Sequence, residues 1–157
     1  MTIREAVIED IPHIWQLIKD LAEYERSLDQ VVASEADLAN SFFSDNPKVF
    51  CHVATENDQV VAVAIWFLNY STWLGKHGMY LEDLFVSPAR RSRGHGMALL
   101  KKLAQICLER EYERFQWWVL DWNLSAIEFY KSIGSVAMDE WTVFRLGGEG
   151  LKKLGQS

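Results

Sequence analysis

Cysteine is scarce in the 157-residue sequence: only Cys51 and Cys107 occur, with no C-x-x-C pair and no histidine cluster beside either. That excludes a disulfide framework and a zinc site, and it fits a reducing compartment. The four histidines, at 13, 52, 77 and 95, lack metal-ligand spacing, so no metal is expected. Basic residues number 16 against 22 acidic ones, a formal net charge of −6. A nucleic-acid or anionic-membrane partner needs a spread basic face, so both are excluded, and a small cationic partner is favoured by the same field. No apolar run reaches the ~20 residues of a membrane helix; "VVAVAIWFL" is about half of that. The first ten residues, "MTIREAVIED", carry charges where a leader peptide is apolar, so a soluble, cytoplasmic chain is expected. Repeats, low-complexity tracts and linkers are missing as well, which leaves one domain over residues 1–157.

What is present is core material, 49% hydrophobic by composition, arranged with clear periods. A short strand is expected near Ile3. In "EDIPHIWQLIKDLAEYE", Ile11, Ile14, Trp15, Ile18, Leu21 and Ala22 recur at helical spacing, with Asp10 as N-cap and Pro12 in the first turn. Ser34 and Asp37 form a carboxylate variant of the capping box and open a second short helix. "VFCHVATENDQVVAVAIWFLNY" reads as a hairpin around Asn57-Asp58, its second strand apolar throughout and therefore central. "MYLEDLFV" is the next strand, ended by Pro88. A helix follows with Leu100, Leu103, Ala104 and Cys107 on one face, then a strand in "RFQWWVLDW". Asn123 or Ser125 caps a further helix, with Glu128 completing a box from Ser125 and Gly134 closing it. A last strand is expected in "WTVFRL". The order β-α-α-β-β-β-α-β-α-β is that of an α/β layered domain.

The stretch "RRSRGHGMALL", residues 90–100, joins a strand to a helix through a basic, glycine-bearing turn. A helix N-terminus has unpaired N–H groups and partial positive charge, and glycines let a phosphate approach the backbone. No Gly-Lys-Ser/Thr follows, which excludes a Walker loop, and Leu99 stands where a dinucleotide fingerprint has its third glycine. Arg91, Gly94 and Gly96 instead fill Gln/Arg-x-x-Gly-x-Gly/Ala. A glycine turn with solvated arginines explains the hexapeptide alone equally well.

With this spacing after a strand, the segment resembles the acetyl-CoA pyrophosphate loop of the GNAT superfamily of N-acetyltransferases. "LIKDLAEYE", "STWLGKHGMYLEDLFV" and "VLDWNLSAIEFYKSIG" resemble its diamine (spermidine/spermine) and thialysine branch. The likeness runs from about Ile3 to Phe144. It implies a mixed, mostly antiparallel sheet, splayed at the acetyl-CoA site and flanked by helices on both faces. It also implies direct attack of a primary amine on acetyl-CoA, and a homodimer. Ser92 departs from the pattern, which often has glycine there, and a positive φ would be costly for serine. Arg93 and His95 are expected to face solvent between the backbone donors, with Ser92, Gly94, Gly96 and Met97 around the phosphates.

The resemblance assigns the remaining residues. Tyr130 takes the place of the general acid; its own helical stripe with Ala126, Phe129 and Ile133 reads as core packing. Glu82 is favoured as an ammonium contact that relays a proton through water. Glu82 and Asp83 are adjacent acids in an apolar strand, sent to opposite faces by alternation. The backbone of Leu84, Phe85 and Val86 would pair with pantetheine amides. Tyr24 and Glu25 match a substrate-contacting pair, although alone they form an ordinary helix end. Gln116, Trp117 and Trp118 border the same cleft, with Asp139 or Glu140 as a further acid. Asn123, Leu124, Ser125 and Ala126 would contact the coenzyme, although capping alone explains Asn123. Ser-Thr-Trp from Ser71 leans towards a thialysine-like or lysine-like amine, with diamines next. The alternative is a non-catalytic acyl-CoA sensor or scaffold.

Overall fold

The computed structural model describes residues 1–156, which form two compact units, one from Met1 to Trp118 and one from Val119 onward. In the first, the apolar run expected to be central is so. β3 (Gln59–Ser71) lies in the middle of a five-stranded sheet of order β1-β2-β3-β4-β5, made of β1 (Thr2–Glu5), β2 (Val49–Glu56), β4 (Lys76–Val86) and β5 (Phe115–Trp117). All neighbours are antiparallel except β4 and β5. The β2-β3 turn has Asn57 and Asp58 at φ +50° and +62°, the pair of left-handed residues that a two-residue hairpin turn requires.

Helices cover both faces of the sheet. On one face, α1 (Ile11–Tyr24) and α2 (Glu35–Phe42) bury Ile11, Ile14, Leu17 and Phe42 against Cys51, Val53, Val63, Ile65 and Phe85. Each such side chain is worth about 1.5–3 kcal/mol once removed from water. On the other face, α3 (His95–Glu109) buries Leu99, Leu100, Leu103, Ile106 and Cys107, while Ala104, expected on that stripe, is exposed. Both cysteines are buried and unpaired; burial pushes the Cys51 thiol up and the Cys107 thiol to about 11.

Capping follows the sequence in two places, at α2 and α4, and departs from it in two. Ser34 and Asp37 make the reciprocal box at α2. Asp10 stands at the N-cap of α1 but does not cap it. Its carboxylate accepts from Arg4 at 2.6 and 2.9 Å and from the Val7 N–H at 2.9 Å, tying the end of β1 to the helix entrance. Burial raises the Asp10 carboxyl, and the Arg4 and Val7 hydrogen bonds more than offset it, holding it below the usual carboxylate value.

In the second unit, α4 (Leu124–Ser132) is capped by Asn123, whose side chain accepts from the Ala126 N–H at 3.4 Å. Ser125 lies inside the helix and bonds Asn123, so no box forms with Glu128. Gly134 follows at φ +91°. The strand expected in "WTVFRL" is not formed: residues 141–147 carry no ladder among the described residues, and α5 (Gly148–Gly155) follows. β-propensity is realised only where an edge is there to pair with.

β5 shows the same rule. Of the run expected as a strand, only Phe115–Trp117 pairs, its register ending at Leu81↔Trp117. Its start depends on Gly78, where a Cβ would lie 2.5 Å from Asn69 Oδ1 and 3.0 Å from the Arg114 carbonyl. Over that gap Asn69 donates to Gln116 at 2.8 Å, and Arg114 accepts from the Met79 N–H at 2.8 Å. Gly78→Ala should therefore push β5 off β4 and cost about 1–3 kcal/mol, read as a lower Tm in thermal denaturation; an unchanged Tm would mean that Asn69 and β5 yield freely.

Candidate active site

β4 carries one residue more than β3 can match. Asp83 opposes Ile65 and Leu81 opposes Trp66, so Glu82 has no partner and forms a bulge. Before it, Met79 meets Cys107 of α3, the sulfurs 3.9 Å apart. After it, Val86 meets the start of α3 beside Gly96, and Phe85 belongs to the core under α1. Without the bulge Asp83 would share a face with Met79; with it, Asp83 turns towards α1 and α2. The simple alternation expected for Glu82 and Asp83 is suspended at this point. β4 also leaves β5 here, so among the described residues Leu84, Phe85 and Val86 have a ladder partner only on the β3 side.

Asp83 sits in the wall of an open groove of about 350 Å³, lined otherwise by Trp15, Ile18, Leu38, Phe42, Val49 and Ile65 among others. Its surroundings are mostly apolar and its neighbours acidic. Burial, then the charges of Glu82 and Glu25, push its carboxyl to about 7. Glu25, at the C-cap of α1, is raised as well, by partial desolvation and the charge of Glu82. Three carboxylates thus share one field, an arrangement that disfavours all three being ionised unless a positive charge joins them.

Tyr24 ends α1 next to this group. The Arg91 guanidinium lies 5.0 Å from its ring centre and 5.3 Å from that of Phe85, and Arg91 Nε donates to the Val86 carbonyl at 3.3 Å. One side chain thus ties the basic turn to the end of α1 and to β4. On the far side of β4, Gln116 is held by Asn69, Trp117 packs on Phe115, and Trp118 meets the Tyr80 ring edge-on at 5.7 Å.

The turn itself has the conformation an anion cradle needs. Gly94 is the N-cap of α3 at φ +83° and has no side chain to cap the helix. The first bond within α3 is Ala98 N–H to Gly94 O at 2.9 Å, which leaves the amides of His95, Gly96 and Met97 as the helix's terminal donors. Ser92 adopts φ +61°, the costly conformation foreseen for a residue in place of glycine. One expectation fails: His95 is buried, its Nδ1 3.0 Å from Met1 Sδ, and not solvent-facing. Arg93 is exposed as expected, and its guanidinium also pairs with Glu56 at 3.3 Å.

In the second unit, Asn123, Leu124, Ser125, Ala126 and Tyr130 lie on or just before α4. The Tyr130 side chain is half-buried, its ring 5.4 Å from that of Phe129, and its carbonyl accepts from Ser135 Oγ at 2.6 Å. Asp139 and Glu140 lie exposed in a turn. Among the described residues no group of three or more His, Cys, Asp or Glu is arranged to hold a metal ion. None of the described helices is long and apolar enough to cross a membrane.

Residues 11–134 match the acetyltransferase (GNAT) family, and the chain belongs to it. Thialysine N-epsilon-acetyltransferase of Sus scrofa is 37% identical, with 97% of this chain and 95% of that one aligned. Spermidine/spermine N(1)-acetyltransferase-like protein 1 of Homo sapiens is 36% identical over 95% of this chain, which spans 23% of that longer protein. An integron cassette protein from the mobile metagenome of V. cholerae superposes with a TM-score of 0.82 at 32% identity, covering 99% of this chain and 98% of that one. The chain is therefore an N-acetyltransferase that moves an acetyl group to an amine, and these likenesses lend nothing to the non-catalytic alternative.

The position of Asp83 sets a pH dependence. With a folded pKa of about 7 against ~3.9 in an unfolded chain, the native state holds a proton the unfolded state has released between those values. Stability then falls as pH rises through that window and levels off above it. Asp83→Asn should gain in Tm over the parent from pH 5 to 7 and keep a constant lead above; parallel melting curves across pH 5 to 8 would contradict the assignment.

Proposed function

We propose that this enzyme acetylates the primary amine of a small cationic acceptor at the expense of acetyl-CoA. The acceptor is a thialysine-like or lysine-like amine first and a diamine second. The observation that carries the substrate class is the acidic group Glu25, Glu82 and Asp83 at the edge of an apolar groove: an ammonium on an alkyl chain supplies a positive charge to one and fills the other. Tyr24, Gln116, Trp117 and Trp118 add aromatic and polar contacts, and Asp139 adds a further acid. The names of the relatives, thialysine and spermidine/spermine acetyltransferases, support the same class.

The turn fits acetyl-CoA on its own geometry. The terminal amides of His95, Gly96 and Met97 and the left-handed Gly94 suit a pyrophosphate. Arg91, Ser92 and Arg93 border it, the open edge at Leu84, Phe85 and Val86 suits the pantetheine amides, and Asn123, Leu124, Ser125 and Ala126 supply further coenzyme contacts. In the reaction the amine nitrogen attacks the thioester carbonyl, the carbon–sulfur bond breaks, and Tyr130 gives its phenolic proton to the departing thiolate. Before attack Glu82 holds the ammonium and passes one of its protons to water; the second proton, lost from nitrogen as the tetrahedral adduct collapses, restores the Tyr130 phenol. A phenol with a reference pKa of ~10 stays protonated at neutral pH and suits that role.

Residues 1–157 act as one acetyltransferase domain in this reading, in keeping with a family match that runs through Trp118 and Val119 without a break. The enzyme is cytoplasmic and forms a homodimer. In support of the dimer, "WTVFRL" has a strand-forming composition, finds no ladder partner among the described residues, and leaves Trp141, Val143, Phe144 and Leu146 exposed. An equivalent segment of a second copy would complete it.

The test is release of the coenzyme thiol with thialysine, lysine, putrescine and spermidine. Release that depends on amine, fastest with thialysine or lysine, is expected; a clear preference for spermidine would reverse the ranking, and no release with any amine would overturn the proposal. Tyr130→Phe should lower turnover about a hundredfold or more while acetyl-CoA affinity is kept. Unchanged turnover would remove Tyr130 from the reaction.

A further inference from the structure

Glu56 ends β2, where the hairpin turns, and nothing in its sequence context marks it. In the fold it meets the basic turn from the opposite side of the sheet edge. Its Oε2 accepts from Arg90 at 2.7 Å, both of its oxygens lie 3.3 Å from Arg93 Nη1, and His95 Nε2 is 4.0 Å from its Oε1. The carboxylate is only 23% exposed. Arg90 and Arg93 flank the Arg91-Ser92 step, and Ser92 is held at φ +61°. A non-glycine residue in that region costs of the order of 1–3 kcal/mol and persists only where its surroundings over-determine it. Glu56 supplies that constraint by fixing the chain on both sides of the strained residue. His95, buried behind the turn, brings its Nε2 to 4.0 Å from the same carboxylate, beyond hydrogen-bond range.

We infer that Glu56 is a positioning residue for the coenzyme: by clamping Arg90 and Arg93 it prefolds the Ser92–Gly94 turn into the shape that receives the pyrophosphate. The inference rests on the proposed placement of acetyl-CoA at this turn. Charge and geometry give opposite signs here. Removing a carboxylate near a polyanion, with two arginines set free, strengthens attraction; removing a clamp from a strained turn weakens binding. The second effect should win, because Arg90 and Arg93 regain their rotamer freedom without Glu56, while the ordering of the turn must then be supplied by the coenzyme.

The experiment measures acetyl-CoA dissociation constants by calorimetry and steady-state constants with a saturating amine for four variants and the parent. Glu56→Gln should weaken acetyl-CoA binding roughly three- to tenfold and raise its KM by the same factor. The kcat and the KM for the amine should stay within about twofold, a split that general destabilisation would not produce. Ser92→Gly removes the cost of the left-handed residue, so the double variant Glu56→Gln with Ser92→Gly should regain most of the lost affinity. Gly94→Val, which strains the turn directly, serves as the reference for its role. If Gly94→Val weakens coenzyme binding while Glu56→Gln leaves it unchanged or tightens it, the inference about Glu56 falls and the coenzyme site stands. If neither changes it, the coenzyme does not bind at this turn and both fall. Equal loss from Glu56→Gln with and without the Ser92→Gly substitution would also overturn the clamp.

Discussion

A single unmatched residue in β4 organises the rest of the molecule. Because Glu82 is skipped by the β3 register, the strand reverses which side chains it sends to each face and bends away from β5 at the same place. Met79 and Leu81 lie on the α3 side of the strand, whereas Asp83 and Phe85, at the same odd positions, lie on the side of α1 and α2. Pairing with β5 ends at Leu81, so among the described residues the backbone of Leu84 to Val86 has a ladder neighbour only on the β3 side. One insertion thus produces an acid facing a groove and an open strand edge. Both lie within five residues of the turn that starts at Ser87.

The bases of the turn and the acids at Glu25, Glu82 and Asp83 are held differently. Arg91 lies over Tyr24 and Phe85 while bonding the Val86 carbonyl. Glu56 takes up Arg90 and Arg93, and partial desolvation of its carboxyl is outweighed by those two charges, which hold it below the usual value. On the acidic side the balance runs the other way, and burial and mutual repulsion raise Asp83 and Glu25. The contrast is physical: Arg90 and Arg93 of the basic turn are met by a carboxylate of the protein, whereas the charges that act on Asp83 are those of other acids.

How far the sequence told this in advance depends on whether the information is local. Helix faces, the Ser34 box, the Asn57-Asp58 turn and the central β3 all follow from short-range pattern and were legible. So was the glycine turn, together with the cost at Ser92. The bulge was not read, although "LEDLF" held a signal: strict alternation places Asp83 between the buried Leu81 and Phe85, and the extra residue sends Leu81 to the opposite face from the other two. Glu56, the burial of His95 and the Arg4–Asp10 pair depend on which strands become neighbours, and no local pattern carries that. The missed strand at "WTVFRL" is the converse case, a correct propensity with no edge to express it.

Both sulfhydryls of the chain lie in the core, with their ionised forms strongly disfavoured. Since the thiolate is the reactive species towards disulfide dyes and alkylating agents, both thiols of the folded enzyme should react slowly with such reagents. A dye that colours on meeting free thiols therefore reports chiefly the liberated coenzyme while the fold holds. Added to the protein without substrates, the same dye becomes a gauge of unfolding, because Cys51 and Cys107 should react fast only when the two faces of the sheet come open.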